Sequence, residues 1–190
     1  MSDRIPAEIW IGGKIAASLV SGLCAAISDE GVSLEWGDAR IRPTGVDDLT
    51  NALRENGLGT RVLWFCDDEA SCGEFDVLES FLQEHEIPFT RHSSGRYEYD
   101  PVTVHFRPGH DLGTCSTNSA AQPVVEVEEI TPVDNLLAAA IELRQHGSGV
   151  DCWSLVLIAR QLLRERLKAD MPPLEPCEIE AAETPVAALE

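Results

Sequence analysis

Apolar and polar positions change period along the chain, and each change marks an element. Residues 7–12 alternate, with Ile9 and Ile11 on one side, which predicts a strand. After Gly12-Gly13-Lys14, Ile15, Leu19, Leu23, Ala26 and Ile27 form one stripe at helical spacing, and Gly31 closes that helix. Val32, Leu34 and Trp36 alternate up to Gly37-Asp38, and residues 39–42 return, which predicts a hairpin. Thr44 with Asp47 three residues on starts a short helix, with Val46, Leu49 and Leu53 inward and Gly57 and Gly59 ending it.

Residues 61–66 are nearly continuously apolar, as in a central strand covered on both faces. Asp67 to Cys72 reads as a loop, Ser71 to Glu74 as a capping box, and 73–86 as a helix burying Phe75, Leu78, Phe81 and Leu82. A strand from Ile87, a turn at 93–95, a return at 96–99 and alternation over 102–107 follow. Residues 108–123 read as loop, and 124–130 as a strand carrying Glu126 and Glu128. Thr131-Pro132-Val133-Asp134 starts a helix that runs to His146-Gly147. A last helix spans about 151–168, with Arg160, Arg164, Arg166 and Lys168 toward its C-terminal end, where the helix dipole favours cations.

The order predicts one α+β domain over 1–169: a mixed, mostly antiparallel sheet covered by helices, with two C-terminal helices. A β-α-β crossover over 61–91 implies at least one parallel pair. Residues 170–190, Pro-containing and acidic, read as a flexible tail.

Charge changes this picture most. The 190 residues hold 33 acids and 14 bases, a net charge of −19. Residues 1–84 carry 16 acids against 6 bases, whereas 85–110 carry three of each plus four of the five histidines. An acidic field repels nucleic acid and anionic membranes and attracts basic surfaces or cations, so direct nucleic-acid or membrane binding is not expected. No apolar run reaches the roughly 20 residues of a membrane span. The first residues lack the pattern of a signal peptide, which points to the cytoplasm and to six free thiols, with Cys24 and Cys152 as small core residues.

Four candidate sites emerge. Asp67, Asp68 and Glu69, in a loop after a buried strand, offer oxygen ligands to a divalent cation; the plainer reading is a solvated acidic loop that complements the following helix dipole. No other cofactor is expected. Arg91, Arg96, Arg107, His92 and His105 could bind a phosphate or carboxylate compound, provided that an arginine converges with a histidine in a concavity. A zinc site there is poorly supported: His85, His92 and His105 fall on different elements, and cysteine help would have to come from Cys115. The plainer reading places His105 and Arg107 on an exposed strand face opposite Glu126 and Glu128, with Arg91, Arg96 and Tyr97 around a hairpin.

Cys66 and Cys72 flank the acidic loop. A strand, a thiol-bearing loop, a helix and then Ile87-Pro88 is similar in outline to thioredoxin-like redox domains, but five residues separate the thiols and three carboxylates oppose a thiolate. Gly12-Gly13-Lys14 lacks the spacing of a phosphate loop and reads as a tight turn. Neither Gly-x-Ser-x-Gly nor His-Glu-x-x-His occurs. Trp10, Trp36 and Trp64 read as sheet residues, and one exposed beside acids would mark a protein interface.

Without a catalytic motif, the sequence points to an interaction module that offers its acids to a basic partner, as an adaptor or as an inhibitor mimicking nucleic-acid charge. The alternative is a small enzyme or ligand-binding domain working at 85–110. Oligomeric state is left open.

Overall fold

The computed structural model describes residues 3–55, 59–96, 99–125, 127–147, 149–167 and 172–180. Gly57, Tyr97, Glu126, Lys168 and residues 181–190, which figure in the expectations above, lie outside them.

In chain order the elements are β1 (Arg4–Ile11), β2 (Lys14–Ile15), a short 3-10 turn, α1 (Val20–Glu30), α2 (Val46–Asn51), β3 (Leu53–Glu55) and β4 (Arg61–Ser71). Then come α3 (Asp76–Glu84), β5 (Phe89–Ser93), β6 (Val102–Phe106), β7 (Gly113–Ser116), α4 (Val127–Gln145), α5 (Gly149–Leu167) and β8 (Glu178–Ile179). The fold is a single α+β unit around a six-stranded antiparallel sheet of order β3-β4-β1-β5-β6-β7.

The crossover over 61–91 is present but split. β4 and β5 run in the same direction, yet β1 lies between them and pairs antiparallel with both. The parallel hydrogen-bonded pair is instead the short β2–β8 ladder. The core lies on one face of the sheet. Ile9, Ile11, Leu63, Phe65, Phe89 and Val104 meet Leu23 and Ile27 of α1 and Leu78 and Leu82 of α3, all buried. Gly31 ends α1 in the left-handed region at φ 78°, which glycine adopts without strain.

Several local expectations are corrected. Residues 32–42 form no strand pair. Ser33 makes a single bridge to Cys66, and the chain turns through hydrogen bonds from Asp38 N to Glu35 O and from Ile41 N to Val32 O. Asp48 rather than Asp47 reaches Thr44, accepting from its N–H and hydroxyl at 2.8 Å each. Asp67, Asp68 and Glu69 belong to β4, which runs on to Ser71 because Ala7, Ile5 and Arg4 of β1 continue to pair with it. The capping box does not form: Ser71 and Glu74 close a turn, and α3 begins at Asp76.

β7 occupies residues read as loop, and it, not 124–130, pairs with β6. Val127 to Ile130 open α4 instead, so Glu128 does not stand opposite His105 or Arg107 across a sheet. Within the expected tail, residues 172–180 are docked: Cys177 is buried, its N–H meets Arg61 O at 2.8 Å, and Gly13 exchanges backbone hydrogen bonds with Glu175 and Glu178. No helix among the described residues is long and apolar enough to cross a membrane.

Gly73 sits at φ 72° at the turn into α3, and a Cβ there would collide with the Ser93 side chain. Replacing Gly73 by Ala combines that clash with backbone strain, and should lower the unfolding free energy by about 2 kcal/mol. Chemical denaturation followed by circular dichroism measures this, and an unchanged midpoint would show that the turn relaxes freely.

Candidate functional site

The pairing register sorts the residues of 85–110 onto opposite faces of the sheet. Arg91 stands opposite Ile9 and Val104, on the face that α1 and α3 cover. Only 5% exposed, it reaches α3, where its Nε lies 2.7 Å from Glu79 Oε1. Its Nη1 donates to Gly73 O at 2.7 Å, and Glu74 stands 3.6 Å from Nη2. Glu79 Oε1 also accepts the Phe75 N–H at 3.0 Å. Burial pushes the Glu79 carboxyl above its ordinary range, against the pull of Arg91 and of that N–H. Arg91 is thus a strut between the sheet and the turn into α3.

The other face carries a row directly across four pairings: Cys66, Glu8, His92, Thr103 and Cys115. Glu8 accepts the Trp64 Nε1–H at 2.9 Å, and burial raises its carboxyl despite that bond. His92 is buried, with Nδ1 3.1 Å from Thr103 Oγ1 and 3.4 Å from Thr117 Oγ1. Burial holds it below its ordinary range, outweighing a backbone hydrogen bond, so it is neutral at pH 7.

Thr90 and His105 lie one step along on the same face, 3.1 Å apart between Thr90 Oγ1 and His105 Nδ1. Burial, then the neighbouring Arg107, push the His105 pKa down to about 4. Arg107 is buried rather than exposed. It donates to Pro172 O, Phe89 O, Phe106 O and Thr90 Oγ1 at 2.6–3.1 Å. These bonds use four of the five N–H groups of a guanidinium. Arg96 is exposed on the turn and donates to Arg4 O.

The structure therefore brings Arg107 and His105 together through Thr90, but separates them from Arg91 by the thickness of the sheet. A cleft of about 400 Å³ lies beside Arg107, lined by Gly13, Lys14, His110, Pro172 and Glu175 among others. It joins Gly12-Gly13-Lys14 to the end of the 85–110 segment, which sequence reasoning kept apart. Its cations are largely engaged: Lys14 Nζ lies 2.7 Å from Glu180 Oε1, and Arg107 is bound to carbonyls.

Asp67, Asp68 and Glu69 do not converge. Asp67 accepts the Glu69 N–H at 3.0 Å, while Asp68 accepts the Gly37 N–H at 2.6 Å. Among the described residues no group of three or more His, Cys, Asp or Glu is arranged to hold a metal ion. The redox reading loses its geometry. Cys66 and Cys72 sit six residues apart, the first inside β4 and the second just past its end, about 20 Å of extended chain and far beyond disulfide reach. Burial, followed by Asp68, Glu8 and Asp67, pushes the Cys66 thiol up to about 12.

What does gather is an acidic rim. Glu30, at the end of α1, accepts the N–H groups of Val77 and Leu78 at 2.7 and 3.1 Å, and so caps α3 from a neighbouring helix. Burial raises the Glu30 pKa; Asp76 and Asp67 raise it further. Asp68 ties this cluster to the 35–38 turn, where Trp36 is 43% exposed and edge-on to Trp64 at 6.2 Å. Glu35 and Asp38, both exposed, flank it. Arg54 lies over Trp64 and 3.6 Å from Glu35. Sequence reasoning missed the role of Glu30, whose position at a helix end shows no partner; the exposed Trp36 among acids was its only local signal.

No family model, curated protein or solved structure matches the chain.

Two measurements test this geometry. Arg91→Met alone leaves Glu79 buried without its cation and should cost about 3 kcal/mol of stability. The double replacement Arg91→Met with Glu79→Leu should recover at least half of that loss, and additive losses would show that the pair is not coupled. For His105, whose folded pKa is depressed, the unfolded chain binds the proton more readily, so stability present above the unfolded value near 6.5 is lost as pH falls toward 4. His105→Asn should flatten the midpoint-versus-pH curve in that window by on the order of 1–2 kcal/mol, discounted for partial exposure. A variant curve parallel to the wild-type one would place His105 in solvent.

Proposed function

We propose that the protein is an interaction module whose acidic rim docks a basic surface on a partner protein. One observation carries this reading: Trp36 is exposed between Glu35 and Asp38, in a turn that Asp68 holds through the Gly37 N–H. A tryptophan beside carboxylates supplies both halves of a recognition surface. The aromatic ring buries apolar area and accepts cations over its face, and the acids steer a cationic partner to it. Glu30 and Asp68 are held by backbone N–H groups, so they are fixed in place before any partner arrives. A charge-mimicking inhibitor or an adaptor would both use such a rim, and the charge distribution does not favour either.

A ligand pocket at the 85–110 segment has weaker support. In the cleft at Lys14, Arg107 and His110 the lysine and the arginine are already engaged, and in the concavity beside Arg91 that arginine meets Glu79.

The test uses a fluorescent arginine-rich peptide as the probe. Binding should weaken by at least tenfold between 50 and 300 mM salt, because exposed charges lose their attraction beyond a screening length of about 6–14 Å across that range. Asp67→Asn with Asp68→Asn should weaken it on the order of tenfold at low salt, and Trp36→Ala should weaken it at every salt concentration. Binding that ignores salt and both variants would sink the proposal.

A further inference from the structure

α4 and α5 make their contacts mainly with each other. Val133 and Ala140 of α4 and Cys152 and Ala159 of α5 are buried, and their spacing places them on one stripe of each helix. A second apolar stripe is left in the open. On α4 it is Ile130, Leu137 and Ile141; on α5 it is Trp153 and Leu157, with Trp153 62% exposed.

These residues follow closely after buried ones, as Ile141 follows Ala140 and Trp153 follows Cys152. A step of one residue turns a helix by about 100°, so the open stripe is displaced from the buried one by about 40–100° on α4 and about 100–160° on α5, in the same rotational sense. In an antiparallel pair, stripes displaced in the same rotational sense emerge on the same side. Ile141 then stands level with Trp153, and Leu137 with Leu157. A second apolar stripe beside the first is what a helix in a four-helix bundle needs: one for its hairpin partner, one for the opposite pair.

We propose that two copies of this chain dimerise through this face, the α4–α5 hairpins forming a four-helix bundle about a two-fold axis. Three observations favour a second copy over another occupant. The first is area. With Val127 and Leu163 included, the exposed large apolar residues on this side present on the order of 650–700 Å², approaching the roughly 800 Å² that each partner contributes to a standard stable interface.

The second is symmetry. A two-fold interface must be complementary to itself, and helical spacing sets the exposed Asp134 of α4 and Arg160 of α5 within this stripe, so that a second copy can set acid against base there. The third is charge. Residues 127–167 hold six acids and four bases, so this segment is nearly neutral in a chain of −19. Two such acidic molecules can meet here without opposing their full fields. The proposal is independent of the acidic rim, which involves other elements.

Sedimentation velocity across a concentration series provides the test. The wild-type chain should sediment at twice the monomer mass at micromolar concentration. Raising the salt should leave the dimer intact or tighten it, because screening weakens the repulsion between copies, the reverse of the response expected at the rim. Trp153→Asp and Leu157→Glu should each raise the dissociation constant on the order of 100-fold. Ile158→Ser, about 140° round α5 from Trp153, should leave it unchanged. Circular dichroism of each variant checks that the hairpin is still helical.

If a variant loses helicity, Leu137→Lys on α4 provides the same reading from the other helix. A wild-type chain that stays monomeric at 100 µM overturns the proposal. So does a dimer that survives Trp153→Asp, Leu157→Glu and Leu137→Lys with helicity intact, since the contact then lies elsewhere.

Discussion

The insertion of β1 between β4 and β5 is the constraint on which the rest of the structure depends. A strand paired on both edges has no freedom of register, and a slip of one residue would exchange its two faces. Ile5, Ala7, Ile9 and Ile11 are all buried on the helix side, so the register is fixed by burial as well as by the ladders. From it follow the faces of every neighbour. Arg91 must point to α3 because Ile9 is its partner, and His92 must point away because Glu8 is. The continued pairing of β1 also draws β4 out to Ser71, across an irregularity in register at Asp68 and Glu69, which turns an expected acidic loop into strand.

The charged residues of β5 and β6 illustrate how burial converts chemistry into architecture. A buried guanidinium is tolerated only where its donors are met, and Arg91 and Arg107 meet theirs in different ways. Arg91 uses a carboxylate, which fixes α3 against the sheet. Arg107 uses main-chain carbonyls, one of them Pro172, and so staples the segment leading to β8 beside the end of β6. That staple works with the ladder between β2 and β8 to hold residues 172–180, whose composition alone suggests a mobile tail. Composition misleads there because docking depends on two anchors distant in sequence, Arg61 and Gly13.

What was legible in the sequence was periodic. The Leu23, Ala26 and Ile27 stripe of α1, the apolar run of β4, the inward face of α3 and the extent of α5 all follow from local patterning, and the α+β class follows from their order, whereas Ile15, read as the first residue of that stripe, belongs to β2. What was not legible depended on partners. Residues 32–42 alternate like a hairpin but make only a single bridge at Ser33 and one cross-link from Ile41 N to Val32 O, so no ladder forms. β7 is short and rich in small polar residues, and it exists because β6 offers it an edge. Pro132 suggested a helix start, yet α4 begins five residues earlier and absorbs the proline inside its second turn. The candidate site was legible in type but not in place. The acids and Trp36 could be read off the chain, whereas Glu30 closing the N-terminus of α3 could not, since nothing local distinguishes it from any other surface glutamate.

The distribution of charge and apolar surface is best understood as one arrangement. A chain this acidic resists compaction and resists meeting its own copies, because both bring like charges together. Part of that cost is relieved internally, by placing carboxylates at helix N-termini and against backbone N–H groups, as Glu30 and Asp68 are. Arg54 meets Glu35, and further carboxylates line the rim formed by the end of α1, the start of α3 and the outer half of β4. The α4–α5 hairpin follows the opposite rule, being nearly neutral in charge and apolar on an open side. Charge attracts over a distance and apolar surface acts only in contact. A molecule that keeps the two on separate elements can present its rim to a cationic surface while its hairpin is occupied, and neither engagement needs to disturb the sheet between them.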